Sequence, residues 1–501
     1  MSRPTDTRGD VSRVRLLSRR GIGLRAASVL VGLSPLILLE GVLCLAGLGQ
    51  ISTAEDPYIG FVDVQPLFVH NPHTDRFEIP RTRELFQPES FPATKGDRTS
   101  RVFCLGGSTV QGRPYGIATS FSTWLKLDLR EASPDRDWEV VNCGGISYAS
   151  YRLAPIMQEL LGHDPDLFVI YAGHNEFLED RTYRAVKETP IWVARAHRGL
   201  SRLRSYNVIR SWFVEDVRVA PRQASKDRST LATEVEALLD YRGGLDAYKR
   251  DATWHAGVAR HFEFNLRRMV HMAQNAGVPV VLMNPVANLK DSPPFKVVHR
   301  DDITEEDQGR FDSYRNAAGS LDQPAERRIE SLRAASALDA RHAGIHFELG
   351  KSLEVSGAHA LAKKAFMRAK DEDICPLRMT EPLHLVLAQV ASETSAHWLD
   401  VRALFEHLTE DGIPGNEWLV DHVHPSIRGH QRIAEALCRT MIQIGIVEAR
   451  PGWESQMPDR YREHLDSLEP VYYVKGRQQL EGLRMWSQGR SSKVRRTDQA
   501  K

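Results

Sequence analysis

Apolar positions along this chain keep two rhythms. Five short runs are nearly unbroken: RVFCLG at 101–106, WEVVN at 138–142, LFVIYA at 167–172, VPVVLM at 278–283 and HWLDV at 397–401. Strands covered on both faces have this length and lack of alternation. Between the runs apolar residues return every three or four positions, as in Phe121, Trp124, Leu125 and Leu129, and in Leu153, Ile156, Met157, Leu160 and Leu161 before Pro165. That spacing puts them on one stripe of a helix. A further helix is expected from about Ala256 to Gln274. Strand and helix in alternation predict an α/β fold around a parallel sheet of about five strands.

Two stretches break the alternation. Residues 184–255 interleave Arg195, Arg198, Arg202, Arg204 and Arg210 with Trp192, Leu200, Leu203, Trp212 and Phe213. They read as a helical cap with a solvated basic face, the alternative being a groove for an anionic polymer or a membrane surface. Residues 325–376 have another period. Leu349, Gly350, Leu353, Gly357, Ala362, Phe366 and Ala369 fall where a tetratricopeptide repeat places its small and large packing residues, and Ala335, Leu338 and Asp339 match the end of a preceding unit. The resemblance covers about one and a half units. A stack needs ~3 units to stand alone, so these helices are expected to lean on the rest of the chain. The resemblance implies a protein partner held on them, with ordinary amphipathic helices as the alternative.

The amino-terminal end adds a membrane to the picture. Arg3, Arg8, Arg13, Arg15, Arg19, Arg20 and Arg25 precede an apolar stretch at 26–48. The stretch supplies the ~20 residues a bilayer needs and exceeds the ~7 to 15 of a secretory h-region. The expectation is a basic cytoplasmic segment at 1–25, a single-pass transmembrane anchor at 26–48 in the cytoplasmic or inner membrane, and everything after Gln50 extracytoplasmic, whether periplasmic or extracellular. An extracytoplasmic lead-in module at 51–99, a main domain at 100–445 and a helical tail at 446–501 complete the expected organisation.

Charge and cysteine narrow the classes. Lys and Arg number 66 against 65 Asp and Glu, a formal net charge of +1, which argues against nucleic acid as a partner held by broad positive charge. Cys44 lies in the apolar span, and Cys104, Cys143, Cys375 and Cys438 show neither Cys-x-x-Cys spacing nor the density of a disulfide scaffold. Buried free thiols are the default. Cys104 and Cys143, at neighbouring strand ends, are the pair that an oxidising compartment would offer to a bridge.

Chemistry collects at the ends of the runs. The first stops in CLGGS at 104–108, the second leads into NCGGISYAS at 142–150, the third into GHNEF at 173–177, and DHVHPSIRGHQRIAEAL stands at 421–437. In open α/β sheets functional groups gather beyond the carboxyl ends of strands. No Lys-Ser or Lys-Thr follows the glycines, so a phosphate-cradling loop is not expected. Asp421 and His424, three residues apart before a helix that Ser426 can cap, can project to one side. The carboxylate then holds the imidazole Nδ1–H while Nε2 faces Ser108, which is the logic of orienter, base and nucleophile. Asn175 can present its amide N–H to the same spot and, with the Ser108 N–H and a backbone N–H near Ser147, form an oxyanion hole.

On these residues the chain closely resembles the SGNH hydrolases, the superfamily also called GDSL esterases. Gly107-Ser108 matches the nucleophile block, Gly173-His174-Asn175-Glu176 the Gly-x-Asn-Asp block, and Asp421-x-x-His424 the acid and base block, in order over roughly 100–445. The resemblance implies a three-layer, flavodoxin-like α/β/α sandwich, with Ser108, Asp421 and His424 catalytic, Ser108, Ser147 and Asn175 at the oxyanion, and no cofactor or metal. Three departures stand out: Gly-Gly-Ser for Gly-Asp-Ser, Glu176 for aspartate, and Ser147 where the second block has glycine. Gly145 is the alternative donor to Ser147. His422 reads as a loop histidine, and His174 and Glu176 as satisfied neighbours of Asn175. His70, His73 and Asp75 lack the further ligand that a zinc site needs, and Asn284, Asn288 and Lys290 are placed to line a cleft.

The expected activity is hydrolysis of carboxylic esters on a small molecule, a cell-surface glycan or a lipid. An O-acyltransferase using the same triad and a non-catalytic binding protein using the repeat-like helices are the alternatives.

Overall fold

The computed structural model describes residues 58–181, 229–240, 244–319 and 323–487, with Asp56 and short pieces at 34–35, 38–43, 204–205 and 208. The chain divides into two compact units, one of Met1–Ala54 with Glu188–Lys226 and one of Glu55–Lys187 with Asp227–Lys501. In the first, the Glu40 carboxylate accepts the backbone N–H groups of Arg204 and Ser205 at 2.7 and 2.8 Å. The expected span at 26–48 lies largely outside the described residues, among which no helix is long and apolar enough to cross a membrane.

The second unit carries the expected sheet. Its parallel strands are β5 (Thr99–Gly106), β6 (Asp137–Gly144), β7 (Leu167–Tyr171), β9 (Val280–Asn284) and β10 (His397–Asp400), in the order β10-β9-β7-β5-β6. All five apolar runs are therefore strands. Neighbouring residues of β5 face opposite layers, as the pleat requires. Phe103 and Leu105 join a core with residues of the helices Ser150–Leu160, Ala252–Asn275 and Glu381–Glu393. Val102 and Cys104 join the core formed with the helices Phe121–Ala132 and Ile427–Gln443. The unit is thus a three-layer α/β/α sandwich. The same alternation separates two thiols, since Cys104 lies in one core and Cys143 in the other. A disulfide needs Cβ atoms that face each other, and all four described cysteines are free and buried.

Short strands precede the sheet. β1 (Ile59–Phe61) pairs in parallel with β8 (Ser229–Leu231), while β2 (Val69–Asn71), β3 (Arg76–Glu78) and β4 (Ser90–Pro92) form an antiparallel sheet. Leu67, Phe68, Ile79 and Phe91 share the core of Phe103 and Phe168. Residues 58–99 are accordingly part of the main body, because their apolar side chains have no separate core to enter. Of the stretch 184–255, read as one helical cap, residues 184–203, 206–207, 209–228 and 241–243 lie outside the described residues, and the described residues from Ser229 onward go with the sheet.

The second interruption is larger than its sequence period suggested. Helices Glu305–Gly319 and Ala325–Leu338 form one antiparallel hairpin, and Ala343–Val355 and His359–Asp371 another. Gly350 lies against the Phe366 ring, where a Cβ would collide. Leu353, Ala362 and Phe366 share a core with Leu289 and Ile413 of the sandwich. The hairpins therefore bury apolar area, at ~25 cal/mol per Å², on the body of the unit. Towards the carboxyl end, the helix Met457–Asp466 sets Tyr461 against Trp124 with ring centroids 4.9 Å apart. The helix Pro470–Ser487 follows it.

Candidate active site

β5 ends in two glycines because nothing larger fits. A Cβ on Gly106 would collide with the Tyr171 carbonyl oxygen, and one on Gly107 with Asn175 Nδ2. The turn places Ser108 first in the short helix Ser108–Gln111, nearly buried. Its Oγ lies 2.7 Å from His424 Nε2, and His424 Nδ1 lies 2.7 Å from Asp421 Oδ2. The other Asp421 oxygen, Oδ1, accepts the backbone N–H of Val423 at 2.9 Å and of His424 at 2.8 Å. One carboxylate thus fixes both the ring and the loop that carries it. Ser426 then caps the helix Ile427–Gln443 by accepting the Gly429 N–H at 3.1 Å, and that helix packs against Phe121–Ala132 through the Phe121 N–H, donated to His430 Nδ1 at 3.2 Å.

The electrostatics keep Asp421 ionised. Burial opposes ionisation of Asp421, but the facing imidazoles of His424 and His422 and the hydrogen bonds from His424 hold its carboxyl well below the usual range. His422, buried 3.7 Å from Asp421, is pushed down to about 4, and His174 to about 3, in both cases chiefly by burial. Both are neutral at neutral pH. His174 accepts the Met379 N–H on Nδ1 at 3.1 Å, while its Nε2 is buried without a partner among the described residues.

The three proposed oxyanion residues also meet here. Ser108, Ser147 and Asn175 line one cavity of about 360 Å³ together with His174, His422 and His424, a size suited to a small ligand or part of a larger one. Asn175 Nδ2 donates one hydrogen to the Tyr148 carbonyl at 2.9 Å, leaving the second for another acceptor. Ser147 has φ 63°, a left-handed conformation that favours glycine. This explains how serine stands where the resemblance calls for glycine: the loop keeps the backbone and accepts the strain. The alternative donor is already engaged, since the Gly145 N–H binds the Gly106 carbonyl at 3.0 Å, whereas the Ser108 and Ser147 N–H groups donate to no backbone or side-chain acceptor among the described residues.

Other candidates lie elsewhere. Glu176 accepts the Ser150 N–H and Oγ–H at 2.8 and 3.0 Å and so holds the start of the helix Ser150–Leu160. Asn284 bonds Asp400 and His384, and Lys290 bonds Asp411, at 2.8, 2.6 and 2.8 Å, so neither lines the cavity. Asn288 props up the Asp421–His424 loop, its N–H on the His422 carbonyl and its amide on the Asp421 carbonyl at 2.9 and 3.2 Å. The loop after β9 turns beneath the site instead of opening onto it. His70 meets exposed Asp75 at 3.1 Å, and no cluster of metal-ligating side chains occurs among the described residues. His422, read as a loop histidine, is buried at the cavity wall.

Two contributors went unread in the sequence. Arg113 stands five residues beyond Ser108, in the same RVFCLGGSTVQGRP stretch, and lines the cavity. The helix Pro470–Ser487, expected as tail, forms a wall through Gln479, Gly482, Leu483 and Trp486. Trp486 Nε1 donates to Asp240 Oδ1 at 2.8 Å, Arg484 reaches the Val420 carbonyl at 2.9 Å, and Gly476 abuts Tyr115. A charge placed before Pro114 was the available signal for Arg113. The helix gave none.

No family model matches the chain, and no curated protein does. Among solved structures it is similar to an acetylxylan esterase from Geobacillus stearothermophilus, at 14% identity and a TM-score of 0.30, over 70% of this chain and 96% of that one. It is similar to the same extent, 14% identity and TM-score 0.30 over 70% and 96% of the two chains, to an alpha/beta hydrolase enzyme from the metagenome of Lake Arreo, Spain. Likenesses this distant transfer no residue roles, and the chemistry rests on the geometry of the chain itself.

Proposed function

We propose that this protein is a serine hydrolase of carboxylic esters, of the SGNH type that its motifs resemble. The observation that carries this reading is the unbroken relay from Ser108 Oγ through His424 to Asp421, with both links at 2.7 Å and the serine facing a cavity. Ser108 Oγ attacks the ester carbonyl carbon as His424 Nε2 takes its proton, and the charge forming on the carbonyl oxygen is met by the Ser108 and Ser147 N–H groups and Asn175 Nδ2. Collapse breaks the bond to the alcohol oxygen, which leaves with the proton from His424. Water then attacks the acyl-serine with His424 again as base, releasing the carboxylic acid and restoring Ser108. If a sugar hydroxyl replaces water, the product is a new ester and the enzyme an acyltransferase.

The basic segment and apolar stretch before Gln50 support a membrane-anchored enzyme acting outside the cytoplasm, where O-acyl groups of surface glycans, and second lipid esters, are the substrates at hand. The full chain in detergent should react with a fluorophosphonate probe and hydrolyse a small acetyl ester. Ser108→Ala should abolish both, by about 10⁶-fold in turnover, with circular dichroism and melting unchanged. Wild-type labelling and hydrolysis that survive in folded Ser108→Ala would remove the serine from the mechanism. Absence of both in the wild type would leave the binding-protein reading in its place.

A further inference from the structure

Resting on that reading of the site, we infer that Arg113 makes the enzyme selective for esters that carry an anionic group, presented as a carboxylate or phosphate oxygen pair beside the scissile bond. Arg113 follows the helix of the nucleophile directly, its backbone N–H bonded to the Ser108 carbonyl at 3.1 Å. Its half-buried side chain lines the same cavity as Ser108, Asn175 and His424. Among the described residues no carboxylate or carbonyl accepts a hydrogen bond from its guanidinium. Its guanidinium is partly shielded from water, so an acceptor brought into the cavity would replace only part of its hydration. The planar fork of a guanidinium matches two oxygens of a carboxylate or phosphate.

The other ionisable groups of the cavity do not supply that acceptor. Asp421 acts on Arg113 through its charge, yet its oxygens are bonded to His424 and the backbone. Asp240 is held by the Trp486 indole, and its charge does not figure among the influences on Arg113. His174 and His422 are neutral, as burial keeps them so. Arg113 is therefore the one arginine or lysine among the described lining residues. The cavity of about 360 Å³ places any small ester bound at Ser108 close to it.

The test compares neutral and anionic esters on the full chain in detergent. The neutral pair is 4-nitrophenyl acetate and phenyl acetate. The anionic set is 4-nitrophenyl hydrogen glutarate, with its carboxylate on the acyl side, 4-acetoxybenzoate, with it on the alcohol side, and 4-acetoxyphenyl phosphate. Each kcat/KM is divided by the spontaneous hydrolysis rate of that ester. At least one anionic ester should exceed the neutral pair by about 10-fold or more, and Arg113→Gln should cut that ratio about 10- to 100-fold, the range expected for a charge-assisted hydrogen bond. Arg113→Lys, which keeps the charge and loses the fork, should fall between. It also decides the matter if circular dichroism shows Arg113→Gln unfolded.

A second arm needs no turnover. Benzoate and phenyl phosphate should bind Ser108→Ala protein in calorimetry, benzyl alcohol should not, and adding Arg113→Gln should remove the binding. Wild type that hydrolyses neutral and anionic esters alike, or a ratio unchanged in folded Arg113→Gln, overturns the inference and leaves the hydrolase standing. No hydrolysis of any ester defeats the hydrolase reading. The anion site then stands or falls on whether binding depends on Arg113.

Discussion

Two walls of one cavity are built by different means. On the wall that holds the relay, most polar atoms have a partner: Asp421 alone accepts from His424 Nδ1, His424 N and Val423 N, and Asn288 fastens the loop from beneath. The other wall, the helix Pro470–Ser487, is held by a few contacts, among them Trp486 to Asp240, Arg484 to the Val420 carbonyl and Tyr472 to Thr119. It leaves Val471, Val474 and Met485 exposed. The first wall is over-determined and so positions atoms to a fraction of an ångström. The second determines shape, and small changes in its contacts should shift it.

Breaking the first wall should cost the most. Asp421→Asn leaves a ring of the wrong tautomer at Ser108, and kcat should drop by about 10⁴ while the fold persists. A stopped assay with a chromogenic acetyl ester measures it, and a loss below tenfold would show that His424 does not need this partner. Asn175→Ala deletes a single donor to the oxyanion and should slow turnover by about 10²- to 10³-fold, with probe labelling slowed but complete at long times. Wild-type turnover in that variant would take Asn175 out of the hole.

Acid should unsettle the same wall through its neutral histidines. The folded pKa values of His174, His422 and His430 are lowered to about 3, 4 and 3. The unfolded chain takes up protons below ~6.5 that the folded chain refuses. Stability is therefore unaffected above that pH and declines as pH falls toward ~4, by roughly 2 kcal/mol per histidine at pH ~5. Denaturant midpoints measured from pH 7.5 to 5 should fall together with net proton uptake on unfolding. A flat profile would mean these rings are hydrated or charged in the folded protein. The smallest effect belongs to the second wall: Trp486→Ala or Gly476→Leu should raise KM about 3- to 10-fold with a lesser change in kcat. A kcat loss as large as that of Asn175→Ala would show that the helix positions the relay after all.

The difference between the walls also explains what could be read from the chain. The strands were legible because a strand buried on both faces must be an unbroken apolar run. Ser108, Asp421 and His424 were legible because a turn between strand and helix and a three-residue spacing fix geometry over a few bonds. Asn284, Asn288 and Lys290 follow the same strand-end rule, but the direction a loop takes after its strand depends on what it packs against, here the Asp421–His424 loop. Pro470–Ser487 lacks a clean apolar stripe because it buries little, and its target Tyr115 lies far away in sequence.

The Tyr472–Thr119 hydrogen bond joins residues 353 positions apart. As the chain leaves the ribosome from its amino end, the nucleophile turn emerges first, the acid and base loop some three hundred residues later, and the wall of Gln479, Leu483 and Trp486 last of these. Until Pro470–Ser487 has emerged, Ser108, Asp421 and His424 are present while this wall of their cavity is not.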